Sequence, residues 1–220
     1  MTGEDPLGLF DPSEATPIVM ITPMPNAPTP GTGLPPQGNA PGQGDWWQVY
    51  FTDPQANIRA AVEPSYAGSI PEKLIDLINH AQQSIHIASF EFNLTPVAEA
   101  LIAAHRRGVD VRWITDDEHG IEADEEEGHG QFAMLEKAGI AVRDDERAAL
   151  MHNKFWIFDG KTVWTGSTNI TQNGTLYNNN NVIVLHSPVA ARIYEREFQE
   201  MWKGDFGPRS PSTVKDQTFV

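Results

Sequence analysis

The chain has 220 residues, 40% of them apolar, enough for one medium-sized domain with a real core. Thirty acidic residues against 15 basic ones give a formal net charge of −15, which favours solubility and argues against coating nucleic acid by bulk attraction. There is no cysteine, which excludes disulfides and thiolate metal sites, and no apolar run approaches the ~20 residues of a membrane helix.

Residues 1–44 stand apart. They hold ten of the 17 prolines and seven glycines, with no lysine or arginine. Such a segment cannot bury enough apolar surface to offset its ordering entropy, so it reads as a disordered tail or linker. Its start, "MTGEDPLGLF", lacks the basic residues and apolar stretch of a signal peptide. The default expectation is therefore a cytoplasmic protein, with an extracytoplasmic location left open. A folded domain is expected over 45–205, followed by an irregular C-terminal tail over 206–220.

Within the domain, "WQVYF" has strand-type residues. "SIPEKLIDLINHAQQ" predicts a helix with Ser69 as N-cap, and Leu74, Ile75, Leu77 and Ile78 recur at helical spacing. "SIHIASFEF" is a strand, and "TPVAEALIAAHRRG" a helix capped by Thr95 and closed by Gly108. "VDVRWITD" is a strand, "GQFAMLEKAG" a helix and "IAVRDD" a short strand. This alternation predicts an α/β fold: a mixed, largely parallel sheet flanked by helices. "HNKFWIFDG" and "KTVWTGS" then form two strands joined at Asp159-Gly160, a strong two-residue hairpin turn. "NNVIVLH" is a further strand. "SPVAARIYEREFQEMW" is a closing helix with Ser187 as N-cap and Pro188 at its first position.

The hairpin carries the chemistry. His152 and Lys154 are two residues apart, so on a strand they share a face. Gly166, Ser167 and Asn169 follow the second strand and are expected near the same end of the sheet, with a helix starting around Thr168 that would aim N–H groups at an anion. The set suits a phosphodiester. Imidazole is a competent nucleophile near pH 7. Lys154 offers positive charge to the non-bridging oxygens, and Asn169 a neutral donor. Ser167 either adds a hydroxyl or holds the loop.

The stretch "HNKFWIFDGKTVWTGSTN" resembles the HKD motif of the phospholipase D superfamily. "SIHIASFEFN" looks like the family's first core strand, and "NNNNVIVLHSPVAARIYEREFQEMW" like the strand and helix after the motif. The resemblance implies a phosphodiesterase in which His152 attacks phosphorus to form a phosphohistidine, Lys154 and Asn169 bind phosphate oxygens, and no cofactor or metal is needed. It carries Asp159 over as a third catalytic candidate; a turn-fixing role before Gly160 is the alternative. The substrate implied is a phospholipid or small diester, with two alternatives: a single-motif dimeric nuclease acting on DNA or RNA, or a non-catalytic anion-binding module.

Two departures from the family pattern matter. Only one motif is present, whereas the family mechanism uses two histidines. The second is expected from a homodimer sharing one active site, or from a missing second half with its own motif. Many members also place a carboxylate after the motif to hold the nucleophile's other nitrogen. Asn180 occupies that position here and stabilises imidazolium less.

Elsewhere, residues 116–130 pack eight acids and two histidines and are read as a solvated acidic loop rather than a metal site. His80, His86, His105 and His186 show no partner in the sequence. Trp46 and Trp47 are expected to pack on the domain, and Arg106-Arg107 to complement the dipole of their helix.

Overall fold

The computed structural model describes residues 43–44, 46–55, 66 and 68–207; the expected tail over residues 1–42 and most of the C-terminal one lie outside these. Eight strands form one sheet: β1 (Gln43–Gly44), β2 (Trp47–Phe51), β3 (Ser84–Ser89), β4 (Asp110–Ile114), β5 (Ala141–Arg143), β6 (Lys154–Phe158), β7 (Thr162–Gly166) and β8 (Asn181–His186). Their spatial order is β1-β2-β8-β7-β6-β3-β4-β5. Four α-helices accompany them among the described residues: α1 (Ile70–His80), α2 (Thr95–Arg106), α3 (Gln131–Lys137) and α4 (Pro188–Trp202).

The fold is α/β with a mixed sheet, as expected, but the sheet is not largely parallel. Only β3–β4 and β4–β5 run parallel, while the pairings from β1 to β3 through β2, β8, β7 and β6 are antiparallel. The physical reason is connection length. Helical crossovers allow parallel neighbours only in the first half, whereas the short connection through Asp159-Gly160, three residues long between the paired Phe158 and Thr162 rather than the two expected, forces β6 and β7 to be antiparallel. The sheet also begins earlier than expected, because Gln43–Gly44 pairs with β2.

The central strands read as unbroken apolar runs because both faces are covered. On β6, Trp156 and Phe158 enter a core shared with Leu74, Leu101 and Leu135 of α1, α2 and α3. Phe155 and Ile157, of opposite parity, join Ala190, Ala191 and Phe198 of α4. Register is thereby fixed, since a one-residue slip would exchange the two cores. Pairings Ile87–Trp156, Ala88–Phe155 and Ser89–Lys154 set the end of β3 against the start of β6.

Several local expectations are refined. Ser187 caps α4 through a hydrogen bond from the Ala190 N–H at 3.2 Å. Ser69 makes no such cap; its hydroxyl donates to the Tyr66 carbonyl. Thr95 is the first residue of α2, preceded by Leu94 at the N-cap. Arg107 serves another helix: its guanidinium donates to the carbonyls of Ile78 and Asn79 at the end of α1. His86 is not without partners, for its Nδ1 lies 2.9 Å from Glu195 and its ring stacks on Phe198. His80 and His186 are bonded too, to the Asp76 carbonyl and the Thr162 hydroxyl. Trp46 is 59% exposed rather than packed.

Candidate active site

The site lies where β3 and β7 end and β6 and β8 begin. Strand β6 starts at Lys154, so His152 sits in the segment leading into it, exposed at that end of the sheet. Lys154 Nζ turns back to donate to the His152 carbonyl at 3.1 Å and lies 5.1 Å from the centre of the Phe90 ring. The same ring meets the His152 imidazole edge-on at 4.6 Å. Phe90 thus fixes the two basic side chains from below, a place where no hydrogen-bonding residue would compete for their protons.

Asn169 reaches the site from the segment after β7. Its Nδ2 donates to Glu91 Oε2 at 2.7 Å, which leaves its second N–H available. Gly166 makes this approach possible: a Cβ there would stand 2.2 Å from the Asn181 carbonyl oxygen. The expected helix at Thr168 is absent. Ile170 instead bridges Phe92 in parallel, extending the β3 edge, and a single π-helical turn forms only at Asn173–Tyr177.

The remaining candidates fall elsewhere. The Ser167 hydroxyl donates to Asn180 Oδ1 at 2.9 Å and accepts from the Asn181 N–H at 3.1 Å, so it holds the loop. Asn180 completes that clasp by donating to the Gly174 carbonyl at 2.8 Å; its amide is committed there rather than to His152. Asp159 is at the far end of β6, roughly 16 Å along the strand from Lys154 at ~3.3 Å per residue. There it takes the left-handed conformation of the turn, φ 52°, and its carboxylate accepts from the N–H groups of Gln82, Gln83 and Ser84. Its place is that of a structural anchor, not a reacting group.

Two acids missed by the sequence reading complete the site. Glu91 holds Asn169, as described. Asp116, 1% exposed, accepts from the Met151 N–H at 2.8 Å and from both the N–H and the ring of His119. It therefore fixes the backbone just before His152. The signals were an acid set between two phenylalanines in "FEF" and an acid at the carboxyl end of a parallel strand, where α/β sheets keep their sites. Nor is 116–130 simply a solvated loop: Asp124 caps α3, accepting from the N–H groups of Phe132 and Ala133.

The electrostatics follow from these contacts. Burial lowers the His152 pKa below its usual 6.5 and the Lys154 charge lowers it further, against Glu91 and Asp116, which raise it. The imidazole is thus held neutral and nucleophilic at pH 7. Burial also lowers the Lys154 pKa, with Glu91 opposing. For Asp116, burial works to raise the pKa, but the hydrogen bonds from His119 and Met151 outweigh it and the carboxyl stays below its usual range. A cavity of about 460 Å³ opens beside Asn169 and Glu91, bordered by His119, Glu118 and Glu126. A neutral imidazole, an ammonium and an amide N–H at one end of the sheet can attack a phosphoryl centre while neutralising its oxygens.

Comparison with known proteins agrees with that chemistry. The family model for the cardiolipin synthase, PLD-like domain, matches residues 74–202, more than half of the chain. Mitochondrial cardiolipin hydrolase from Xenopus tropicalis is 32% identical over 170 residues, spanning 74% of this chain and 78% of that protein. The Mus musculus protein of the same name is 33% identical over 136 residues, covering 62% and 59% respectively. Among solved structures, the phospholipase D family member Nuc from Salmonella typhimurium superposes with a TM-score of 0.58 at 27% identity, over 74% of this chain and 98% of that one. NucT from Helicobacter pylori, at 20% identity and a TM-score of 0.55 over 72% of this chain and 97% of that one, shares the fold.

Proposed function

The chain belongs to the phospholipase D superfamily and is a phospholipase D-like phosphodiesterase; on that premise we propose that it hydrolyses a phospholipid through a phosphohistidine formed on His152. His152 attacks phosphorus, the bond to the leaving alcohol breaks, and that alcohol takes up a proton. Water then attacks the phosphohistidine, giving the phosphomonoester and restoring the imidazole. Lys154 and the second Asn169 N–H bind the non-bridging oxygens, where negative charge builds up. Glu91 and Asp116 are positioning residues, acting through Asn169 and the Met151 backbone.

The observation that carries a lipid substrate is the rim of the site. Phe51, at the end of β2 paired with Asn181, is 71% exposed; Leu150, two residues before His152, is 52% exposed; Tyr177 ends the π turn and is also exposed. Apolar side chains at the sheet end that bears the histidine suit acyl chains. The acids beside Asn169 oppose a substrate that presents phosphates along its whole length. The named cardiolipin hydrolases support the same class.

A second histidine completes the reaction as proton donor. A two-fold dimer supplies it as His152 of a second copy, and Phe51, Leu150 and Tyr177 are then available to the interface as well. Light scattering on the purified chain is expected to give a dimer; a monomer with full activity would remove this part of the reading.

The test of substrate is parallel assay on cardiolipin vesicles, phosphatidylcholine vesicles and single-stranded DNA, all in excess chelator. Release of phosphatidate by the wild type and none by His152→Asn supports the proposal. Cleavage of DNA alone would replace it with the nuclease reading. Anion binding without turnover on any of the three would make the chain a binding module.

A further inference from the structure

A second cluster of acids lies behind the catalytic segment, fed by two stretches far apart in sequence. Asp116 and Asp117 follow β4, and Asp145 follows β5. The carboxylate oxygens they offer lie within 4.8 Å of one another. The parallel pairing of β4 with β5 brings the strand ends side by side, so the fold itself imposes this approach of like charges.

Asp145 is 4% exposed. Its Oδ2 accepts from Arg147 Nε at 2.9 Å, but its Oδ1 is buried with no hydrogen-bond partner among the described residues. A buried carboxylate oxygen without a donor is unfavourable, and more so with two further carboxylates close by. Each of the other two keeps acceptor capacity. Asp116 Oδ2 takes only the Met151 N–H, and Asp117 Oδ1 the Glu118 N–H. Three carboxylates against one guanidinium leave two negative charges, the complement of a divalent cation.

We propose that Asp116, Asp117 and Asp145 form a binding site for a hard divalent cation, best matched to Ca²⁺. The ligands are all oxygen, as such ions require. With Ca–O distances of about 2.3–2.6 Å, oxygens on opposite sides of the ion stand roughly 5 Å apart, so the cluster accommodates the shell without collapsing. Backbone carbonyls or water complete the coordination. Asp145 borders an open cavity of about 450 Å³, which gives the ion a way in. The ion is not part of phosphoryl transfer. It acts on the segment leading to His152, because Asp116 holds that segment through the Met151 N–H.

The test is thermal unfolding of the chelator-treated full chain at fixed ionic strength, with added CaCl₂, MgCl₂ or NaCl, alongside calorimetric titration with CaCl₂. At millimolar Ca²⁺ the melting temperature is expected to rise by about 3 °C or more, with one ion bound per chain and a smaller shift for Mg²⁺. Asp117→Asn, at a half-buried position, is expected to fold with a similar metal-free melting temperature and to lose the Ca²⁺ shift. Asp145→Asn is expected to lose it too. An equal melting temperature with and without Ca²⁺ would overturn the site. So would a Ca²⁺ shift that persists in full in Asp117→Asn, since the ion would then be held elsewhere on the acidic surface. If Asp145→Asn is stabilised and Ca²⁺ has no effect on the wild type, a shared proton occupies the cluster in place of a cation.

Discussion

At the turn end of the β6–β7 hairpin, the Asp159 carboxylate accepts three successive backbone N–H groups from the start of β3. Its bonding capacity is used on the fold. At the opposite end of the same strand, among the described residues, Lys154 keeps two of its three ammonium protons beyond the one given to the His152 carbonyl, Asn169 keeps one amide N–H, and the His152 ring packs on the Phe90 ring. Both ends come from one short motif. The difference is that one end is satisfied and the other is held in place but unsatisfied. Membership of a motif therefore does not make a residue part of the site; what its polar atoms have left to offer does.

The largest effect that would sharpen this contrast is at Lys154. Replacing Lys154 with Met removes the charge proposed to face the phosphoryl oxygens while keeping an apolar side chain of similar length beside Phe90. We expect kcat to fall by roughly 10²–10³ with little change in melting temperature. A loss below tenfold would mean that the phosphate is bound by other groups.

Asp159→Ala should behave in the opposite way. It leaves three N–H groups without their acceptor and places alanine at positive φ, so stability is expected to fall by about 2–3 kcal/mol in denaturant unfolding. The kcat of the folded fraction should stay within about twofold. A kcat collapse without loss of stability would return Asp159 to the catalytic set.

The smallest effect concerns pH. The His152 pKa lies below 6.5, so the acid limb of kcat/KM should fall below that value, as activity requires the neutral ring. Glu91 raises the pKa of His152, so Glu91→Gln should move the limb further down and cut kcat by about tenfold through the loosened Asn169. The same shift affects folding. A histidine whose folded pKa is depressed resists protonation, so stability is present above the unfolded value of 6.5 and declines as pH falls through it. An acid limb above 6.5 would contradict this picture of His152.

Much of this was legible in the sequence because local signals agreed. Apolar spacing gave α1, α2 and α4, the Asp-Gly turn gave the hairpin, and the motif put His152, Lys154 and Asn169 together. The rest depends on pairing between distant segments. Glu91 becomes a site residue only because Phe92 bridges Ile170, which brings Asn169 across to it. The helix expected at Thr168 gave way to that same bridge. Asn180 reads as a partner for His152 by position, yet the clasp with Ser167 and Gly174 claims it. The acids of 116–130 look alike in composition, and only the fold separates Asp116, by burial, and Asp124, by its hydrogen bonds to the start of α3, from their neighbours.

Direct trapping tests whether His152 is the nucleophile. Wild type and His152→Asn would be mixed with a phosphodiester substrate, quenched rapidly in alkali to preserve phosphohistidine, and mapped by peptide mass spectrometry. A nucleophilic His152 gives a phospho adduct on the wild-type peptide that contains it, no adduct on the variant, and no turnover by the variant. Steady turnover by His152→Asn, or an adduct on another residue, would contradict it.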